Sequence, residues 1–153
     1  MEESLMGSEV EGMSNIPDII CNAYGYEKHD AGEYSPLTLA YIGDTIYDLI
    51  VRTKVIMAGN APVNKLHKRA SAVVNATAQA VCMGNIYDKL TEEEQGIYRR
   101  GKNAKSYTTA KNASVKDYHI ATGFETLIGW LYLKGDMERI YELVLPEIEE
   151  KKV

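Results

Sequence analysis

Apolar residues recur at helical spacing along most of this chain, and no stretch alternates apolar and polar positions over enough residues to predict a strand. We therefore expect an all-α domain. The predicted helices cover, approximately, residues 36–57, 65–83, 92–100, 117–134 and 137–151.

Residues that cap or break helices set the boundaries of this pattern. Ser35-Pro36 is a typical helix start, and Thr91 with Glu94 predicts a capping box. Gly59-Asn60 and Gly84-Asn85 are expected to end the first two helices, and Pro146 is expected to bend or divide the last. Lys102 to Ser114 has no apolar stripe and predicts a loop.

Residues 1–34 differ from the rest of the chain. They lack sustained periodicity and carry eight acids against one lysine. We expect a partly disordered, acidic N-terminal extension followed by a single domain over residues 35–153.

The composition is that of a soluble globular protein, with 45% hydrophobic and 25% charged residues among 153. No apolar run approaches the roughly 18 to 20 residues of a membrane helix, so we expect a cytoplasmic protein with no membrane partner. Cys21 and Cys82 have no metal-binding motif around them and predict free thiols. P-loop, Rossmann, zinc-protease and α/β-hydrolase motifs are also missing from the sequence.

The net charge of −5 argues at first sight against a nucleic-acid partner, but the charge is unevenly distributed. Residues 99–118 hold six basic residues and one acid, interleaved with hydroxyl and amide side chains that suit phosphate and ribose oxygens. A solvated loop without a partner explains this segment equally well. A second basic group opens the helix at 65–83 and is a weaker candidate. The candidate RNA-binding residues are Lys65, Lys68, Arg69, Arg99, Arg100, Lys102, Asn103, Lys105, Ser106 and Lys111.

Two predicted helices carry acids inside otherwise apolar patterns. Asp44 and Asp48 stand four residues apart in the first, and Glu125 interrupts the apolar pattern of residues 118–133. Such an acid costs desolvation unless it is paired or bound to a cation. Mg²⁺ takes oxygen ligands and usually one or two carboxylates. Asp44 and Glu125 are therefore candidate Mg²⁺ ligands, with Asp48 as a supporting acid, although spacing alone favours simple ion pairs such as Asp44 with Arg52.

Two motifs give the chain a family resemblance. TLAYIGDTIYDLIVR resembles the signature of the ribonuclease III catalytic domain, and FETLIGWLYL resembles that domain's second acidic helix. Together with RRGKNAKSYTTAKN, these motifs are similar to mini-ribonuclease III proteins, bacterial members of the family without a separate double-stranded-RNA-binding domain. The larger family pattern has acids where this chain has Ala40 and Thr122.

The resemblance implies the ribonuclease III helical fold, with Asp44 and Glu125 as catalytic acids that bind Mg²⁺. It also implies a homodimer that hydrolyses double-stranded RNA to 5′-phosphate and 3′-hydroxyl ends. Maturation of large-subunit ribosomal RNA is the expected role, with a ribosomal protein as a possible partner that presents the substrate. The alternatives are a non-catalytic RNA-binding module on a degenerated fold, which Ala40 and Thr122 favour, and a helical interaction protein that does not bind RNA.

Overall fold

A computed structural model describes residues 15–105 and 114–150 of the chain, and all regular structure in these ranges is helical. The prediction of an all-α fold is confirmed. Two short 3₁₀ turns, Ala31–Glu33 and Tyr87–Lys89, lie between the helices. In chain order, the α-helices are α1 (Ile16–Tyr24), α2 (Pro36–Met57), α3 (Val63–Val74), α4 (Ala76–Ile86), α5 (Glu92–Lys102), α6 (Val115–Leu133) and α7 (Met137–Glu150).

Helix α6 is the centre of the fold. It packs against α2, α5 and α4, and eleven of its 19 residues are buried. Phe124 on α6 meets Tyr47 on α2 edge to face, with ring centroids 4.9 Å apart. An apolar helix surrounded in this way is held chiefly by burial, so its few polar side chains have fixed surroundings.

The predicted caps of α2 and α5 are confirmed. The Ser35 hydroxyl accepts from the Thr38 backbone amide, and Pro36 is the first residue of α2. At α5, Thr91 and Glu94 form the reciprocal capping box. Both caps satisfy backbone amides that a helix start leaves without partners.

The prediction of one helix over residues 65–83 is wrong, because Asn75 divides it into α3 and α4. The Asn75 side chain accepts from the Ala78 amide at 2.8 Å and donates to the Ser71 carbonyl at 2.9 Å. One side chain thus ends α3 and begins α4. Gly84 and Asn85 do not break the helix either, since α4 continues to Ile86.

The N-terminal segment contains one helix that was not among those predicted. Residues 16–24 form α1, which Asn15 caps and which ends at Gly25 in the left-handed conformation (φ 69°). None of the residues of α1 is buried. Residues 1–14 lie outside the described ranges, as do residues 106–113 of the predicted loop. At the other end, α7 runs through Pro146 without being divided there.

A buried ion pair ties α5 to α7. The Arg139 guanidinium donates to both carboxylate oxygens of Glu94, at 2.9 and 2.8 Å, and to the Lys89 carbonyl at 2.8 Å. These hydrogen bonds hold the pKa of Glu94 below its ordinary value. Both cysteines are free thiols, as predicted. No helix in the described part of the chain is long and apolar enough to cross a membrane.

Candidate active site

Two glycines let the backbones of α2 and α6 touch. A Cβ added to Gly43 would lie 1.8 Å from the carbonyl oxygen of Glu125, and one added to Gly129 would lie 1.9 Å from the carbonyl oxygen of Leu39. No other residue type fits at either position without separating the helices. The contact at Gly43 places its neighbour Asp44 directly beside Glu125.

The carboxyl groups of Asp44 and Glu125 are joined by a hydrogen bond across this helix crossing. Burial, the nearby charge of Asp44 and this hydrogen bond raise the pKa of Glu125 to about 8. The pKa of Asp44 is also raised, mainly by burial and then by the charge of Asp48. At neutral pH, Glu125 therefore keeps its proton, and its O–H donates a hydrogen bond to the Asp44 carboxylate.

Asp48 lies one turn along α2 from Asp44 and has a different partner. Nε of Arg52 lies 2.8 Å from its Oδ2 in an ion pair. The ion pair that the sequence suggested for Asp44 is thus made by Asp48. The negative charge of Asp48 still raises the pKa of Asp44.

The acid pair fits a divalent ion that keeps most of its water. Among residues 15–105 and 114–150, no group of three or more His, Cys, Asp or Glu side chains is placed to hold a metal. Ala40 and Thr122 are both buried, and the Thr122 hydroxyl donates to the Tyr118 carbonyl at 3.0 Å. Mg²⁺ commonly takes only one or two carboxylates directly, so two acids in contact satisfy its needs.

A second glycine contact sets α5 against α6. A Cβ on Gly123 would lie 2.7 Å from the Tyr98 ring, and one on Gly101 would lie 2.2 Å from the hydroxyl oxygen of Thr126. This hydroxyl is buried and lies within hydrogen-bonding distance of the carbonyls of Thr122 and Pro36. The basic end of α5 is therefore fixed relative to the helix that carries Glu125.

The candidate RNA-binding cations lie on two separate helices. Lys65, Lys68 and Arg69 are exposed on α3. At the end of α5, Arg99 donates to the Tyr87 hydroxyl at 3.3 Å and Arg100 to the Gly32 carbonyl at 3.4 Å. Of the remaining candidates, Lys102, Asn103 and Lys105 are exposed, and Ser106 and Lys111 lie outside the described ranges.

Comparison with known proteins identifies the fold and its chemistry. Residues 37–136 match the Ribonuclease III domain model, and this range contains Asp44 and Glu125. The chain belongs to the ribonuclease III family. It is an endoribonuclease, and the family acts on double-stranded RNA and generally uses a divalent metal.

Individual relatives support the same assignment. The chain is 46% identical over 153 residues to a Mini-ribonuclease 3 from Thermoanaerobacter sp. (strain X514), which covers 98% of this chain and 100% of that protein. It is 47% identical over 120 residues to a Mini-ribonuclease 3 from Clostridium tetani, covering 78% and 80% of the two chains. A crystal structure of a Fusobacterium nucleatum protein superposes with a TM-score of 0.72 at 34% identity, covering 78% of this chain and 95% of the other. The resemblance to mini-ribonuclease III is confirmed.

Sequence reasoning missed Gly43 and Gly129, and it paired Arg52 with Asp44 where the structure pairs Arg52 with Asp48. A signal was available for the glycines, because an isolated glycine inside a helical pattern often marks a close backbone approach. Arg52 stands four residues after Asp48, which is the spacing of an ion pair along a helix.

Proposed function

We propose that this endoribonuclease uses Mg²⁺, held by Asp44 and Glu125, to cleave double-stranded RNA during maturation of large-subunit ribosomal RNA. The observation that carries the metal proposal is the contact between the two carboxyl groups where α2 crosses α6. The ribosomal RNA substrate and a ribosomal protein that presents it rest on the resemblance to mini-ribonuclease III.

The acid pair supplies the electrostatic part of the reaction. Mg²⁺ bound there would supply an activated water and neutralise charge that develops on a phosphate oxygen. Glu125 must first give up the proton that its raised pKa retains. Asp48 is the supporting acid of the site, one turn along α2 from Asp44.

The cations on α3 and α5 would hold the RNA. Double-stranded RNA is recognised mostly through its backbone and shape, which exposed lysines and arginines contact without reading sequence. The glycine contact that fixes α5 against α6 supports a role for Arg99, Arg100 and Lys102, because it holds them in a constant position relative to Glu125.

An exposed apolar stripe on α2 supports a homodimer. At the start of the helix, Leu37 and Tyr41 lie one turn apart and are 40% and 79% exposed. Apolar surface of this kind on a soluble chain indicates an interface. If two copies met along this stripe, their two acid pairs would be related by a twofold axis, which suits a duplex with two strands to cut.

Cleavage of a long RNA duplex tests this function directly. We expect the wild-type chain to cut the duplex with Mg²⁺ and not with EDTA. Asp44→Asn and Glu125→Gln should bind the RNA without cutting it, and Glu138→Gln, which changes an exposed acid on α7, should cut normally. Normal cutting by Glu125→Gln would remove that residue from the site. Binding without cutting by the wild-type chain would favour the non-catalytic alternative.

A further inference from the structure

Asp44, Asp48 and Arg52 form a row along one side of α2, each four residues from the next. A helix rises about 1.5 Å per residue, so Arg52 lies roughly 12 Å along the axis from Asp44. Successive phosphates of one strand rise by roughly 3 Å along a duplex axis, so this row spans a few nucleotides. A strand whose scissile phosphate sits at the acid pair would pass Arg52 if it ran along α2.

The ion pair with Asp48 occupies only part of the Arg52 guanidinium. Asp48 is its single partner within the described residues, and the closest contact between them is at Nε. The side chain of Arg52 is 57% exposed, against 34% for Asp48. The N–H groups of both Nη atoms therefore remain available, and the ion pair restrains the plane in which they lie.

Arg52 also borders a cleft of about 140 Å³ between α2 and α3, lined by Val55, Leu66 and His67 among others. This cleft is mainly apolar, which suits the aliphatic stem of an arginine. Charge at the edge of an apolar wall is screened less than charge in open water.

We infer that Arg52, oriented by Asp48, is a positioning residue that binds a backbone phosphate of the RNA near the cleavage site. The inference rests on the proposed function and deepens it. A planar guanidinium with two free Nη groups matches the geometry of a phosphate, and a phosphate is the chemical group that RNA presents regardless of sequence. Arg52 would also offset the repulsion between the strand and the two aspartates.

The inference assigns a different role to Asp48. In this arrangement Asp48 acts through Arg52, and its loss should matter only when Arg52 is present. A direct role beside the metal would make its loss matter in either case. A double-mutant cycle separates these two possibilities.

The test measures duplex RNA binding at several salt concentrations in an Asp44→Asn background, where no cutting is expected. We expect Arg52→Gln to weaken binding about 10-fold and to lower the slope of log affinity against log salt by about one. Arg52→Lys should keep most of the slope, because the charge remains. The control is Lys89→Gln, which removes an exposed charge beside the buried Glu94–Arg139 pair and should change neither quantity. Equal affinity and slope in Arg52→Gln and Lys89→Gln would overturn the inference.

The second part of the test measures the rate of RNA cleavage in variants that retain Asp44. Asp48→Asn should lower kcat because Arg52 is no longer oriented, while the salt slope of RNA binding stays because the charge of Arg52 remains. It should have no further effect on kcat when added to Arg52→Gln. The same loss from Asp48→Asn with and without Arg52 would overturn the positioning role. The RNA-binding measurements do not depend on cleavage. Failure of the wild-type chain to cut the duplex would therefore count against the proposed function and not against the role of Arg52 in binding.

Discussion

Replacing Glu125 with Gln should change how the stability of the metal-free protein depends on pH. The folded chain raises the pKa of Glu125 from 4.5 to about 8. Between these two values the unfolded chain has lost the proton and the folded chain keeps it, so folding becomes less favourable as pH rises. The stability that the protonated carboxyl contributes is complete below pH 4.5 and is lost as pH approaches 8. A glutamine does not titrate, so it removes this dependence.

The size of the effect follows from the same pKa values. One pKa unit corresponds to about 1.4 kcal/mol. The difference between the folded and unfolded pKa values of Glu125 therefore limits the change in unfolding free energy to about 5 kcal/mol. Asp44, on the other side of the pair, is partly desolvated at its carboxyl but exposed as a whole residue, so water screens part of the repulsion between the two carboxylates. We therefore expect the wild-type chain to lose about 1 to 3 kcal/mol of unfolding free energy between pH 5 and pH 9 relative to Glu125→Gln.

Urea unfolding in EDTA at several pH values between 5 and 9 measures this difference. Glu138→Gln is the matched control, because it makes the same chemical change on the exposed surface of α7 and should follow the wild-type curve. Added Mg²⁺ should restore stability at pH 9 in the wild-type chain and leave Glu125→Gln unchanged. Parallel curves for wild type and Glu125→Gln across the whole range would refute the reasoning about the acid pair.

Three further predictions concern packing, the buried ion pair and RNA binding. Gly43→Ala should destabilise the fold by at least about 2 kcal/mol because its Cβ meets backbone, whereas Gly84→Ala, with open space around it, should stabilise by roughly 0.5 to 1 kcal/mol; thermal unfolding distinguishes them. Arg139→Gln should cost about 3 kcal/mol in urea unfolding, because it leaves a buried carboxylate unpaired. Reversing the charges of Lys102 and Lys105 should weaken duplex binding and flatten its salt dependence, and an unchanged salt slope would exclude them from the RNA surface.

The meeting of Asp44 and Glu125 was easier to predict from the sequence than the helix boundaries. Asp44 and Glu125 could be paired because both interrupt apolar helical patterns and both fall in motifs of one family. The hydrogen bond between them depends on the glycine contact of α2 with α6, which is a property of two backbones meeting in space. Spacing along one helix predicts neighbours on that helix and does not predict the partner across a crossing.

The errors have local causes. In the sequence, Asn75 is a single polar residue within a helical pattern. Its capping role depends on the conformation of its side chain, which the pattern does not specify. Residues 16–24 place Ile16, Ile19 and Ile20 at helical spacing, but this helix is only nine residues long and buries none of them, so the criterion of sustained periodicity misses it. Gly84 and Asn85 stay helical because α4 is held by its packing against α6, which overrides their low propensity.

Calorimetric titration of Mg²⁺ into the metal-free chain tests the central claim most directly, because it needs neither RNA nor turnover. The account predicts that the wild-type chain binds Mg²⁺ and releases close to one proton at pH 7, where Glu125 is still protonated, and almost none well above pH 8. Binding should be lost in both Asp44→Asn and Glu125→Gln. Wild-type Mg²⁺ affinity in either variant would contradict the claim that these two carboxylates together hold the ion.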